Sequence, residues 1–143
     1  MANTIVLQTR GGKHEEGYLT EVVKPGNLLA IGDGTLTLAP VDHTVLMVAK
    51  EDGHQGKTIN DAYGATDRVF YFIPVPGDVL LCRVAAATYA NGADLQAIAN
   101  GRLGAAAAGK PVLARAEAVD GGLEGADDQT AAADDDLIRV RVV

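Results

Sequence analysis

The sequence predicts an all-β chain, a small barrel or sandwich of short antiparallel strands, and three observations carry that prediction. Seventeen glycines and five prolines are spread along 143 residues, so the apolar runs between them are short. Several runs alternate apolar and polar residues with the period of two that puts every other side chain on one face of a strand. Turn signals separate the runs: Pro25-Gly26, Gly32-Asp33-Gly34, Pro76-Gly77-Asp78, Asn91-Gly92 and Asn100-Gly101. Roughly eight to ten short strands with little helix follow.

Taken in order, residues 1–20 are expected to form an extended N-terminal arm, partly β over Ala2 to Arg10 and solvated over Lys13 to Glu16, and residues 21–143 a single β-rich domain. Tyr18 to Val23 leads into a turn at Lys24-Pro25-Gly26-Asn27, where proline presets φ. Leu28 to Ile31 and Leu36 to Leu38 are strands flanking the tight Gly32-Asp33-Gly34 reversal. Val45 to Ala49 is a continuous apolar run, as in a strand buried on both faces. Lys50 to Arg68 is polar, aperiodic and contains three glycines, which reads as one long surface loop of the kind that often serves a contact.

Val69 to Val75 and Val79 to Val84 are the next two strands, the second with Leu80, Cys82 and Val84 on one face and Arg83 on the other. Asp94 to Ile98 and Arg102 to Ala105 flank Asn100-Gly101, a strong hairpin signal. Ala105 to Ala108 is bracketed by Gly104 and Gly109, which leaves room for at most about one helical turn. Pro111 to Ala118 resumes as a strand, and Asp120 to Asp136 reads as an acidic loop. In the last strand Ile138, Val140 and Val142 share one face while Arg139 and Arg141 share the other.

Composition narrows the function. Nineteen acidic against 12 basic residues give a net charge of -7, which argues against the phosphate backbone of nucleic acid and against anionic membrane surfaces. No apolar run approaches about 20 residues, and the N-terminus lacks the basic start of a signal peptide, so synthesis in the cytoplasm is expected. The single cysteine, Cys82, has no internal partner for a disulfide. Aromatics amount to 4%, so the core is built from Ala, Val and Leu.

No cofactor, metal or catalytic residue is expected. His14, His43 and His54 show no ligand spacing. Cys82 stands at an inward strand position, where it acts as a small hydrophobe rather than a nucleophile. Serine is missing, which rules out a serine triad. The glycine-rich stretches lack the spacing of a phosphate loop, and Asp127, Asp128 and Asp134 to Asp136 lack the calcium-loop pattern. That acidic run reads instead as a solvated guard against edge pairing of the last strand. Of the tyrosines, Tyr63 is the interface candidate, because it lies in the polar loop.

Several segments together resemble the capsid decoration (cement) proteins of tailed bacteriophages. They are Lys24-Pro25-Gly26-Asn27-Leu28-Leu29, Val48-Ala49-Lys50-Glu51-Asp52, Gln55-Gly56-Lys57-Thr58-Ile59-Asn60-Asp61-Ala62-Tyr63, Pro76-Gly77-Asp78-Val79 and the close Leu137-Ile138-Arg139-Val140-Arg141-Val142. The resemblance spans nearly the whole chain, departing at Gly92-Ala93-Asp94 and at Ala105 to Ala108.

It implies a virion structural protein without enzymatic activity, assembling as a homotrimer on the outer surface of an icosahedral capsid. There it would bridge neighbouring major capsid protein subunits. The candidate capsid contacts are Thr4, Ile5, Val6 and Leu7 in the arm and Lys57, Ile59 and Tyr63 in the loop. On this reading, removal of Met1 to Arg10 weakens binding and spares the fold. The alternatives are a phage tail or baseplate structural protein, a β-barrel small-ligand-binding protein, and a trimeric hydrolase acting through Asp61 or Asp94.

Overall fold

The computed structural model describes residues 4–117 and 128–143. Among them the chain is all-β, with two single 3-10 turns at Gly53–Gln55 and Ala99–Gly101 and no longer helix. The strands are β1 (Val6–Gln8), β2 (Lys13–Tyr18), β3 (Leu29–Gly32), β4 (Thr35–Leu38), β5 (Val48–Ala49), β6 (Arg68–Ile73) and β7 (Val79–Val84). They continue with β8 (Ala87–Tyr89), β9 (Asp94–Ile98), β10 (Arg102–Ala105), β11 (Ala114–Ala116), β12 (Gln129–Ala131) and β13 (Asp136–Val142). Ala105 to Ala108 forms no helix. The chain leaves β10 there and turns at Lys110, whose N–H donates to Ala107 O at 3.2 Å.

The largest sheet closes on itself. β7 pairs antiparallel with β13 from Val84↔Asp136 to Val79↔Arg141, and β13 continues to β11, β11 to β9 and β9 to β10. β10 then returns to β7 in parallel through Leu103↔Val84. The five strands therefore make a complete circuit, the small-barrel form of the expected architecture. β1 occupies the rest of that β7 edge, with Val6 opposite Leu80 and Gln8 opposite Val79. The expected alternation of β13 appears here: Ile138, Val140 and Val142 are buried while Arg139 and Arg141 lie on the opposite face.

Against the barrel lie the sheet β2–β6–β5 and the β3–β4 hairpin. Two apolar cores result, and the strands between them serve both. Leu28 and Ala30 enter the larger core and Leu29 the smaller; Val48 enters the larger, Met47 and Ala49 the smaller; Phe72 enters the larger, Tyr71 the smaller. Successive side chains point to opposite faces, so a strand buried on both sides must be apolar at every position. That accounts for the unbroken runs Leu28 to Ala30 and Leu46 to Ala49. At the β9–β10 hairpin, Asn100 and Gly101 both take positive φ, 65° and 67°. The Gly101 backbone lies so close to β3 that an added Cβ would stand 2.7 Å from Leu28 O.

Several expectations are corrected. Residues 4–20 of the expected 1–20 arm are not set apart from a domain: β1 lies on the barrel, β2 pairs with β6 along its whole length, and Ile5 is completely buried in the larger core. The cause is Ile5 itself, whose burial removes a large apolar side chain from water at the point where the barrel edge is open. Lys13 to Glu16 is exposed as expected, but as a strand. The last strand is no edge, since it pairs with both β7 and β11, and so needs no guard.

The short pair β8–β12 was not expected. Gln129 of β12 reaches beyond it, donating from Nε2 to Arg139 O and accepting from Arg139 N, both at 2.8 Å, in the manner of another strand residue. Residues 118–127, which include the first eight residues of the expected acidic loop, fall outside the described residues. Ile5→Ala should destabilise the protein by about 2–5 kcal/mol in urea unfolding, and removal of Met1 to Arg10 should cost more, because it strips β1 as well; a truncated chain as stable as the full one would show that β1 is dispensable.

Candidate functional site

The 50–68 segment is long but held from within. Asp52 accepts from the Gln55 N–H at its 3-10 turn, Tyr63 exchanges backbone hydrogen bonds with Val23, and the Tyr63 hydroxyl donates to Lys50 O at 2.6 Å. Burial holds the Tyr63 phenol well above its ordinary range. The segment is fastened at its middle by Arg83, whose guanidinium donates from Nε to Pro25 O at 2.8 Å, from Nη1 to Asp135 O at 2.8 Å and from Nη2 to Ile59 O at 2.7 Å. Arg83 is only 7% exposed. Burial lowers its pKa, opposed by the nearby Asp135 and Asp136 carboxylates. Arg102 grips Asp135 with two prongs, Nε to Oδ1 at 2.8 Å and Nη2 to Oδ2 at 3.1 Å, and this hydrogen bonding holds the Asp135 carboxyl below its ordinary range. The 134–136 acids are thus partly enlisted in an ionic cluster, not simply solvated.

The predicted contact residues separate into two groups. Thr4 is exposed, with its hydroxyl donating to Val6 O, and Val6, Leu7 and Lys57 are half-buried. Ile5, Ile59 and Tyr63 are buried in this chain's own cores, so their side chains are not a free docking surface. The Ile5 N–H donates to Glu51 Oε2 at 2.9 Å, and Leu81 N donates to Ile5 O at 2.8 Å, which ties the N-terminus to both the loop and the barrel.

The residues weighed for chemistry are dispersed. His14 Nδ1 lies 2.8 Å from Lys50 Nζ and its ring stands beside Phe72; burial, then the Lys50 charge, lowers its pKa. His54 stands against Phe70 with ring centroids 5.5 Å apart. No group of three His, Cys, Asp or Glu among the described residues is placed to hold a metal ion. Cys82 is fully buried at its inward position, where its thiol is pushed up to about 12. Asp61 accepts from the Thr58 N–H at 2.7 Å, and Asp94 pairs with Arg115 at 2.8 Å.

Two surfaces remain open. The outer edge of β2 has no strand partner among the described residues, and β1 likewise pairs on one side only. Tyr18, the last residue of β2, is among the exposed large apolar side chains, as are Val22 and Ile31 elsewhere on the surface. Beside β2 lies a cleft of about 540 Å³, walled by the 50–68 segment and by β2 and β6. The sequence signalled the loop; it held no signal for the cleft, which needs β2 and β6 side by side.

No protein-family model matches the chain, and no curated protein does. Among solved structures, the fold is similar to the head fiber gp8.5 N base of bacteriophage phi29, with a TM-score of 0.59 over 93% of this chain and 95% of that one at 12% identity. At that identity the likeness is one of fold.

Two outcomes follow from the ionic cluster. Arg83→Ala strands three carbonyl acceptors and should lower unfolding stability by about 3 kcal/mol or more in urea titration. The Asp135 contribution is complete above the ordinary carboxyl value of 3.8 and is lost as pH falls through the depressed folded value. Arg102→Gln should therefore flatten the loss of stability as pH falls below 3.8, read from melting temperatures against pH.

Proposed function

We propose that this chain is a phage virion structural protein that docks on the outer surface of an icosahedral capsid and bridges neighbouring major capsid subunits as a trimer. The observation that carries the reading is the fold shared, over nearly the full length of both chains, with a phage head fiber base. The resemblance of the Gly56 to Tyr63 segment and its companions to capsid decoration proteins points the same way.

The open edges suggest how docking works. An unpaired strand edge accepts an extended segment of a partner through main-chain hydrogen bonds, without demanding particular side chains. β2 is six residues long, and Glu15 and Glu16 sit at its centre. Two copies of β2 paired antiparallel would bring these acids together, so the edge discriminates against its own kind and in favour of a different strand. A contact of about 800 Å² per partner suffices for a stable complex. In a trimer each further contact forms at high effective concentration. Binding to the assembled shell alone would stabilise that state by mass action.

The test is reconstitution of purified protein onto phage heads that lack it, followed by electron-microscopy reconstruction and amide exchange. Density is expected at seams on the outer shell, with exchange of the Lys13–Tyr18 amides slowed about tenfold or more on docking. Absence from heads, or occupancy confined to tail or baseplate, would overturn the proposal.

A further inference from the structure

The cleft beside β2 has a composition that capsid docking does not require. β2 and β6 pair with Glu16 opposite Phe70 and Tyr18 opposite Arg68. Directly paired residues share a face, so two aromatic rings and one acid–base pair stand on the same side of the sheet. Tyr18 is 61% exposed, so its ring is open to a partner. Phe70 is half-buried, with the His54 ring beside it and the Arg68 guanidinium carbon 5.7 Å from its centroid. Phe70 and His54 line the cleft, and Tyr18 stands on the same sheet face at its margin, outside the lining.

The facing wall is polar and only partly engaged. The Gln55 side-chain amide and the Lys57 ammonium take no hydrogen bond or ion pair within the described residues, although both line the cleft. Asp52, 7% exposed, also lines it; its Oδ1 accepts from Gln55 N at 3.3 Å, leaving Oδ2 for another donor. The wall therefore offers an amide that both donates and accepts, a donor and an acceptor. Charges nearly cancel: Glu16, Asp52 and Asp67 stand against Lys57 and Arg68, and Glu16 already lies 3.7 Å from Arg68. A polyanion or a polycation would meet as much repulsion as attraction.

A ligand suited to this cleft is neutral, carries hydroxyls that donate and accept, and has a flat C–H face to lay on aromatic rings. Those are the properties of a pyranose. We infer that the cleft binds a neutral saccharide chain, with Tyr18 and Phe70 as stacking platforms and Gln55, Lys57 and Asp52 holding hydroxyls. The site is independent of the docking edge, because its side chains lie on the sheet face while docking uses the backbone at the rim.

The test is an NMR titration of the labelled full chain with maltohexaose, cellohexaose and chitohexaose, with polyglutamate and polylysine as charged controls. At least one hexasaccharide should shift resonances of Tyr18, His54, Gln55 and Phe70, and both polypeptides should leave them in place. Tyr18→Ala and Gln55→Ala, both at exposed positions, should each weaken binding about tenfold, and Gln55→Ala, which lies away from β2, should still occupy phage heads like the unsubstituted protein. The inference is overturned if no hexasaccharide shifts these residues, if the substitutions leave affinity unchanged, or if a charged polypeptide binds there instead. Loss of head occupancy in Gln55→Ala would also overturn it, because the cleft would then belong to the docking surface.

Discussion

The buried guanidinium of Arg83 is the contact on which the outer architecture depends. Its donors reach three carbonyls, Pro25 O, Ile59 O and Asp135 O, on segments far apart in sequence. Each carbonyl belongs to a turn or loop, where no ladder supplies a partner, and a buried carbonyl without a donor is costly. One planar group with five N–H donors can satisfy all three at once; a lysine could not match that geometry. The barrel provides the fixed base, since Arg83 rises from β7 between Cys82 and Val84, both fully buried. In this way the tight β7–β13 pairing orders loops that have little apolar surface of their own.

That arrangement lets a chain with few aromatic residues keep a long polar loop in place. The cores are filled by small aliphatic side chains, and strands β3, β5 and β6 feed both of them by alternation. With the loop held by Arg83, Tyr63 and Asp52, the wall it presents to β2 and β6 is defined in advance of any partner. Preorganisation of this kind lowers the ordering cost of binding. It suits the two proposed contacts, with a shell and with a saccharide.

The N-terminal segment changes meaning in the fold. An extended arm that reaches outward and a strand that completes the barrel make opposite demands on Ile5, and its complete burial decides for the second. The segment nevertheless supplies two open edges, β1 on the barrel and β2 on the adjoining sheet. Its part in the proposed docking thus shifts from apolar side chains to backbone edge, with Thr4, Val6 and Leu7 left partly accessible beside it.

Local chemistry was enough to determine the all-β class, the hairpin at Asn100-Gly101, the burial of the Val45 to Ala49 run except at Val45, which is exposed, and the inward face of Ile138, Val140 and Val142. Each depends on neighbours within a few residues: a positive φ, a turn dipeptide, a period of two. Only the tertiary structure decided the closure of the barrel through the parallel Leu103↔Val84 pairing, the burial of Ile5, Ile59 and Tyr63, and the inward role of Arg83. An arginine alternating with apolar residues reads as solvent-facing, because periodicity reports which face a residue occupies and not what later covers that face. Here loops from three distant parts of the chain cover it, and long-range contacts of that kind leave no mark on the local pattern.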